Sequence, residues 1–143
     1  MALFTDTMTV YNYVKSADGV ETWKRTVVEG IQWRHNKSEL SISDKVQTEK
    51  KIESITIDFQ KNYKREQYVD FLEFEKLEDK TGYWTLNERD GMDIVVLGES
   101  DKEIGEGYKL SDLRKDFQYC GTVLSVSDNR NRSHLKHIKV VAK

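Results

Sequence analysis

The stretch Gly82–Glu99, GYWTLNERDGMDIVVLGE, decides the fold class. An aromatic-rich run leads into Asp90-Gly91, and the apolar run Ile94 to Leu97 leaves it. Asp-Gly between two such runs is a strong hairpin signal, because a type I′ turn needs positive φ at both central residues. Gly98 ends the second strand. Trp84 and Leu86 share a face before the turn. After it, Ile94 and Val96 share one face and Val95 and Leu97 the other. Apolar residues on both faces predict a second strand covered on both sides. The architecture is therefore β-based, and neither this stretch nor the remainder of the chain contains a catalytic signature.

Toward the N-terminus, Thr7 to Val14 reads as a strand, with Met8, Val10 and Val14 on one face and Thr9, Tyr11 and Tyr13 on the other. Ala17-Asp18-Gly19 makes a turn, and Val20 to Glu29 is the partner strand. Gly30 allows a bend or bulge before Ile31 to His35 continues the strand. Asn36 to Lys51 is polar, anchored only by Leu40, Ile42 and Val46, and reads as a weak strand followed by a mobile loop. Ile52 to Phe59 alternates cleanly as a strand, and Gln60 to Glu66 is a charged loop.

Tyr68-Val69 ends a strand, and Asp70 is placed to cap a short helix with Glu73 as its capping-box partner and Phe71, Phe74 and Leu77 on one face. On the C-terminal side of the quoted stretch, Asp101 to Gly107 is an acidic, Gly-rich loop. Leu110 to Phe117 fits a second short helix, with Ser111 as N-cap and Leu113 and Phe117 at i, i+4 spacing. Tyr119 to Ser127 is a strand, Asp128 to Asn131 a turn, and His134 to Ala142 the final strand. The expectation is one mainly β domain over residues 1–143: a small β-barrel or sandwich of about seven strands with two short helices.

Composition narrows the classes. A chain of 143 residues can build one real core. Charged residues are 34% and hydrophobic ones 37%, and three Trp, seven Tyr and five Phe supply core mass that disordered chains lack. A net charge of −2 gives no global field to draw nucleic acid or an anionic membrane. Cys120 is alone, so no intramolecular disulfide forms, which fits a reducing compartment. The start, MALFTDTMTV, lacks a secretory pattern, and no apolar run spans a bilayer. The expected place of assembly is the cytoplasm. Proline is absent, where average usage predicts about seven. One common means of blunting strand edges is thereby missing.

Four sets of residues bear on chemistry. His134 and His137 are an odd number apart, so on one strand they face opposite ways, and with Cys120 they read as surface histidines and a thiol, not a metal site. Cys120 lies inside a strand without a nucleophile turn, which predicts an unactivated thiol. Asp101, Glu103 and Glu106 lack calcium-loop spacing, and GEGYKL around Gly105 and Gly107 lacks the phosphate-loop motif. No catalytic, cofactor-binding or metal residue is assigned. The C-terminal segment is locally basic, and Arg130, Arg132 and Lys136 are the residues expected to meet DNA or an acidic partner. The plainer reading is a charged strand edge that resists aggregation.

The run YWTLNERDGMDIVVLGE, the Lys109 to Phe117 helix with its following strand, and DNRNRSHLKHIKV resemble an uncharacterised family encoded in the head-and-tail morphogenesis modules of phages and prophages of Gram-positive bacteria. MTVYNY and the Trp23 to Trp33 stretch extend the resemblance over nearly the whole chain. More loosely, RDGMDIVVLGE looks like the strand–turn–strand signature of small β-barrel head-closure, or stopper, proteins. This chain is longer than the typical member and carries an extra acidic loop. The resemblance implies a non-enzymatic virion protein of the head–tail connector, or neck. It would act as a stopper, head-completion or tail-terminator ring subunit. Implied partners are copies of itself in a hexameric or dodecameric ring, the adjacent portal, adaptor or tail-tube proteins, and packaged DNA, with no membrane. Asn36 to Lys51 and Gln60 to Glu66 are the loops expected to reach the next ring. Two alternatives are another minor capsid or tail component and a soluble protein-binding module or regulator.

Overall fold

The computed structural model describes residues 4–43 and 46–143, with backbone alone over 36–43 and 46–51. Its elements are β1 (Asp6–Lys15), β2 (Glu21–Ser43), β3 (Val46–Asp58), β4 (Gln67–Tyr68), α1 (Phe71–Lys76), β5 (Tyr83–Trp84), β6 (Ile94–Leu97), α2 (Leu110–Asp116), β7 (Cys120–Asp128) and β8 (His137–Ala142). The fold is mainly β, as the alternation predicts. Six strands pair antiparallel in the cyclic order β1-β2-β3-β8-β7-β6, so the hydrogen-bonding pattern closes on itself as a barrel. The β6 side is the short one, with four rungs to β1 and three to β7. The remaining two strands, β4 and β5, form a separate two-residue parallel pair.

Two apolar clusters follow from the period of two along the strands. Met8, Val10, Val28, Ile31, Ile55, Ile57, Val95, Val123, Ile138 and Val140 fill the barrel, and Trp84 and Leu86 join them. On the outer face of the β1–β6 seam, Tyr11, Ile94 and Val96 are buried beneath Leu113 of α2. Strand β6 is therefore covered on both sides, as its sequence predicts. Gly30 supplies the predicted bulge. The β1–β2 register slips opposite it, its φ is +77°, and an added Cβ would lie 2.7 Å from the Tyr63 ring.

The hairpin expected at Asp90-Gly91 does not form. The strand before it, β5, pairs with β4, while β6 pairs with β1 and β7. Gly91 has φ +65°, but Asp90 does not take the positive φ that a type I′ turn requires. A buried carboxylate organises the segment instead. Asp93, 1% exposed, accepts the backbone N–H of Tyr13 and Asn87 at 2.9 Å each and Nδ2 of Asn12 at 2.8 Å. Asn12 Nδ2 also donates to the Thr85 carbonyl at 2.6 Å, and Thr85 N–H donates back to Asn12 Oδ1 at 3.2 Å. These bonds fasten residues 84–93 to β1 and seat Trp84 and Leu86 in the core.

The loop expected within Asn36 to Lys51 is instead a continuation of the sheet over its described residues. β2 and β3 stay paired from Ile31↔Ile57 out to Leu40↔Thr48, with an irregularity before Ser43↔Val46. Beyond Glu53, β3 no longer pairs with β8, so this part is a two-stranded ribbon.

Both helices form where their spacing predicts, and Asp70 is the N-cap of α1 as expected, but neither expected side-chain capping bond forms. Asp70 makes no side-chain cap bond, and its carboxylate lies 3.4 Å from Arg130, so the capping box with Glu73 is absent. Lys109, not Ser111, is the N-cap of α2, and Asp112 accepts its backbone N–H at 2.9 Å. β8 begins at His137 and not at His134, because Leu135 has φ +54° and breaks the extended backbone. No helix among the described residues is long and apolar enough to cross a membrane.

Candidate functional site

The β2–β3 ribbon is the feature that the barrel does not absorb. At its base two side chains converge on one buried carboxylate. Glu53, 4% exposed, accepts Nε1–H of Trp33 at 3.1 Å and lies 2.7 and 2.8 Å from His35 Nδ1. The His35 ring packs against Tyr119 with centroids 4.9 Å apart. His35 and Glu53 are register partners, and Glu53 also pairs with Ala142 of β8. The rung thus ties the ribbon to the barrel at the last level where a third strand is present. Past it, the outer edges of residues 36–43 and 46–51 carry no strand partner among the described residues. Unpaired N–H and C=O groups along such edges are a template for another chain.

The Gln60 to Glu66 loop is not free. Tyr63 donates its hydroxyl to Asp58 at 2.7 Å, and Arg65 donates to the carbonyls of Glu29 and Asp58. Glu66 pairs with Lys24 at 3.0 Å, while its carbonyl accepts Trp84 Nε1–H at 2.8 Å. The Arg65 guanidinium sits 4.7 Å from the Phe59 ring centroid, and burial lowers its pKa. The loop is tied down to β2, to the end of β3 and to Trp84.

The three basic residues expected at a DNA or acidic-partner contact divide in two. Arg130 is spent internally. It makes a forked contact with Asp128, with Nε at 2.9 and 3.1 Å and Nη2 at 2.7 Å, and lies 4.8 Å over the Tyr68 ring. The hydrogen bond from Arg130 holds the Asp128 carboxyl below its usual range and raises the Arg130 pKa in turn. Burial, with Arg130 opposing it, pushes the Tyr68 hydroxyl up to about 12. Arg132 and Lys136 are exposed, in the same loop as Leu135. Those two remain as cations turned to solvent.

A second concave surface lies beside α2. Val20, Trp23, Ile104 and Leu110 form an apolar groove of about 610 Å³ with Glu21 and Glu106 among its lining residues. The Asp101 to Gly107 loop closes one side of it, held by Tyr11 Oη donating to the Lys102 carbonyl at 2.7 Å and by Arg25 pairing with Glu103 at 3.1 Å. Cys120 is half-buried, burial raises its pKa, and its Sγ meets only the Phe117 carbonyl at 3.5 Å. That is a packed thiol, not an activated one. His137 Nδ1 meets the Leu135 carbonyl at 2.6 Å and its Nε2 meets Asn129, so its two ring nitrogens are engaged locally. Among the described residues no three of His, Cys, Asp and Glu are grouped to hold a metal ion.

Neither Asp93 nor Glu53 belongs to a sequence motif that marks a site. A signal was present for both. Asn12 falls on the inward face with Met8 and Val10, and Glu53 on the inward face with Ile55 and Ile57. A polar residue at an inward register needs a buried partner.

A model for a family of unknown function (DUF6751) matches residues 3–143. No curated protein and no solved structure matches the chain.

Proposed function

We propose, from the premise that this chain belongs to DUF6751, a family of unknown function, that it is a non-enzymatic ring subunit of a phage head–tail connector. The observation that carries the reading is the β2–β3 ribbon. Barrel closure gives each of the six strands two neighbours within the barrel, and the ribbon leaves edges open beyond it. A ring subunit benefits from that division. Its body is inert toward association through strand edges, and one element reaches out to a neighbour. The phage context comes from the sequence resemblance, and the fold supports it as a small β-barrel of the kind the resemblance implies. In this reading the chain acts by geometry: barrels pack side by side, and the ribbon contacts the adjoining subunit or the next ring. Loss of the free edge then stabilises the assembly and not the monomer.

The test is to purify particles of a phage or induced prophage that encodes the chain and to quantify the protein in them. A band at a stoichiometry of one ring per particle is expected, together with unjoined heads and tails when the gene is deleted. Complete, infectious particles that lack the protein would overturn the assignment.

A further inference from the structure

We propose that Leu135 and its flanking cations dock into the groove beside α2 of a second copy, so that copies join head to tail. This interface deepens the ring reading and names the partner of its lateral surface. Leu135 is 76% exposed and stands in the left-handed backbone region at φ +54°, which non-glycine residues rarely occupy. The conformation is held from three sides. Lys136 N–H donates to Gln60 Oε1 at 3.1 Å, the Lys136 carbonyl accepts Phe59 N–H at 2.9 Å, and His137 Nδ1 meets the Leu135 carbonyl at 2.6 Å. A fixed, strained loop that displays a large apolar side chain is the form expected of a contact point.

The two surfaces match in chemistry. Around Leu135, Arg132 and Lys136 are exposed and carry no ion pair among the described residues. Around the groove, Glu21 and Glu106 are lining residues and Asp101 lies in the same loop, with Lys102 and Lys109 the opposing charges and Glu103 already paired with Arg25 at 3.1 Å. Val20 at the groove is 53% exposed, so an apolar floor is open to receive an apolar knob. A cationic rim around a knob and an acidic rim around a groove steer and orient the encounter.

They also match in placement. In the cyclic order β1-β2-β3-β8-β7-β6, the β3–β8 seam is opposite the β1–β6 seam. Leu135 hangs from the end of the β3–β8 seam, through Phe59 and Gln60. Helix α2 covers the outer face of the β1–β6 seam. Knob and groove on opposite flanks make a heterologous contact that propagates into a ring or an open filament, not a closed pair.

Two chains test this, both carrying Cys120→Ser: one with Ser133→Cys beside the knob, the other with Ser111→Cys at the groove. Mixed at high concentration under mild oxidation, they are expected to give disulfide heterodimers in excess over either homodimer. A chain with both cysteines is expected to give a ladder of multimers. Adding Leu135→Asn, whose side chain tolerates the left-handed region, is expected to abolish the heterodimer while leaving the thermal midpoint equal or higher. Heterodimers at the random proportion, or undiminished by Leu135→Asn, would overturn the interface. The ring reading is scored separately, by the protein's presence in particles. Random cross-linking by a chain found in every particle removes the interface alone. Specific cross-linking by a chain absent from particles removes the neck assignment alone.

Discussion

Two regions of the chain invert what their sequences advertise. Residues 82–99 carry the strongest hairpin signal in the chain, yet they form no hairpin. Residues 36–51, at the finish of β2 and the start of β3, carry no turn signal and little apolar patterning, yet over their described part they are a long two-stranded ribbon. The difference lies in what each backbone has available as a partner. At Asp90-Gly91 a buried carboxylate three residues on collects N–H donors from β1 and from Asn87, and these bonds outweigh a local turn preference. In the ribbon no third strand pairs along either edge among the described residues. The pairing is inherited from the anchored rungs Trp33↔Ile55 and His35↔Glu53.

The largest expected effect comes from removing the buried carboxylate. Asp93→Leu orphans three N–H donors, and the cost is about 4 kcal/mol in urea unfolding. A loss under about 1 kcal/mol would mean that the turn, not the carboxylate, organises residues 84–93.

The same carboxyl sharpens the comparison through pH. Burial is the leading cause that pushes Asp93 up to about 6, against the N–H donors from Tyr13, Asn87 and Asn12 that pull it down. Its folded value therefore lies above the unfolded one, and the folded state holds the proton more tightly. The stabilisation linked to this group is fully present below about pH 4 and is lost as pH rises through about 6. Over that window the loss is about 3 kcal/mol. Subtracting the pH profile of Asp93→Leu from that of the native chain isolates it. A difference that grows more stabilising from pH 4 to 6 would contradict the sign.

Gly30→Ala comes next. It places a side chain at φ +77° and against the Tyr63 ring, and about 2 kcal/mol is expected, part of it recovered in Gly30→Ala/Tyr63→Ala. The smallest effect is at the supposed hairpin. Gly91 has φ +65° with nothing within 4 Å of an added Cβ, so Gly91→Ala should cost only about 1 kcal/mol, read as a shift in the urea midpoint without loss of β structure. A cooperative loss of β6 from this change would restore the hairpin reading.

Much of the fold was legible where a residue reports on its own face. The two-sided apolar run Ile94 to Leu97 announced a strand covered on both sides, and it is buried by the barrel interior and by α2. Phe71, Phe74 and Leu77, and Leu113 with Phe117, marked both helices. The cyclic strand order was not legible, because β1–β6 and β3–β8 join residues far apart in the chain through backbone bonds that no side-chain pattern records. The side-chain capping bonds failed for a related reason. Asp70 had a distant competitor, Arg130, that local spacing could not reveal. Of the basic residues, local sequence could not separate Arg130, which is stacked and paired, from Arg132 and Lys136, which are exposed.

The most direct measurement replaces residues 37–51 with a two-residue Asn-Gly turn and follows the chain in two assays. The account predicts a thermal midpoint within a few degrees of the native chain, because the barrel does not depend on the ribbon, together with loss of the protein from assembled particles. A shortened chain that enters particles at the native level, or one that no longer folds, would contradict it.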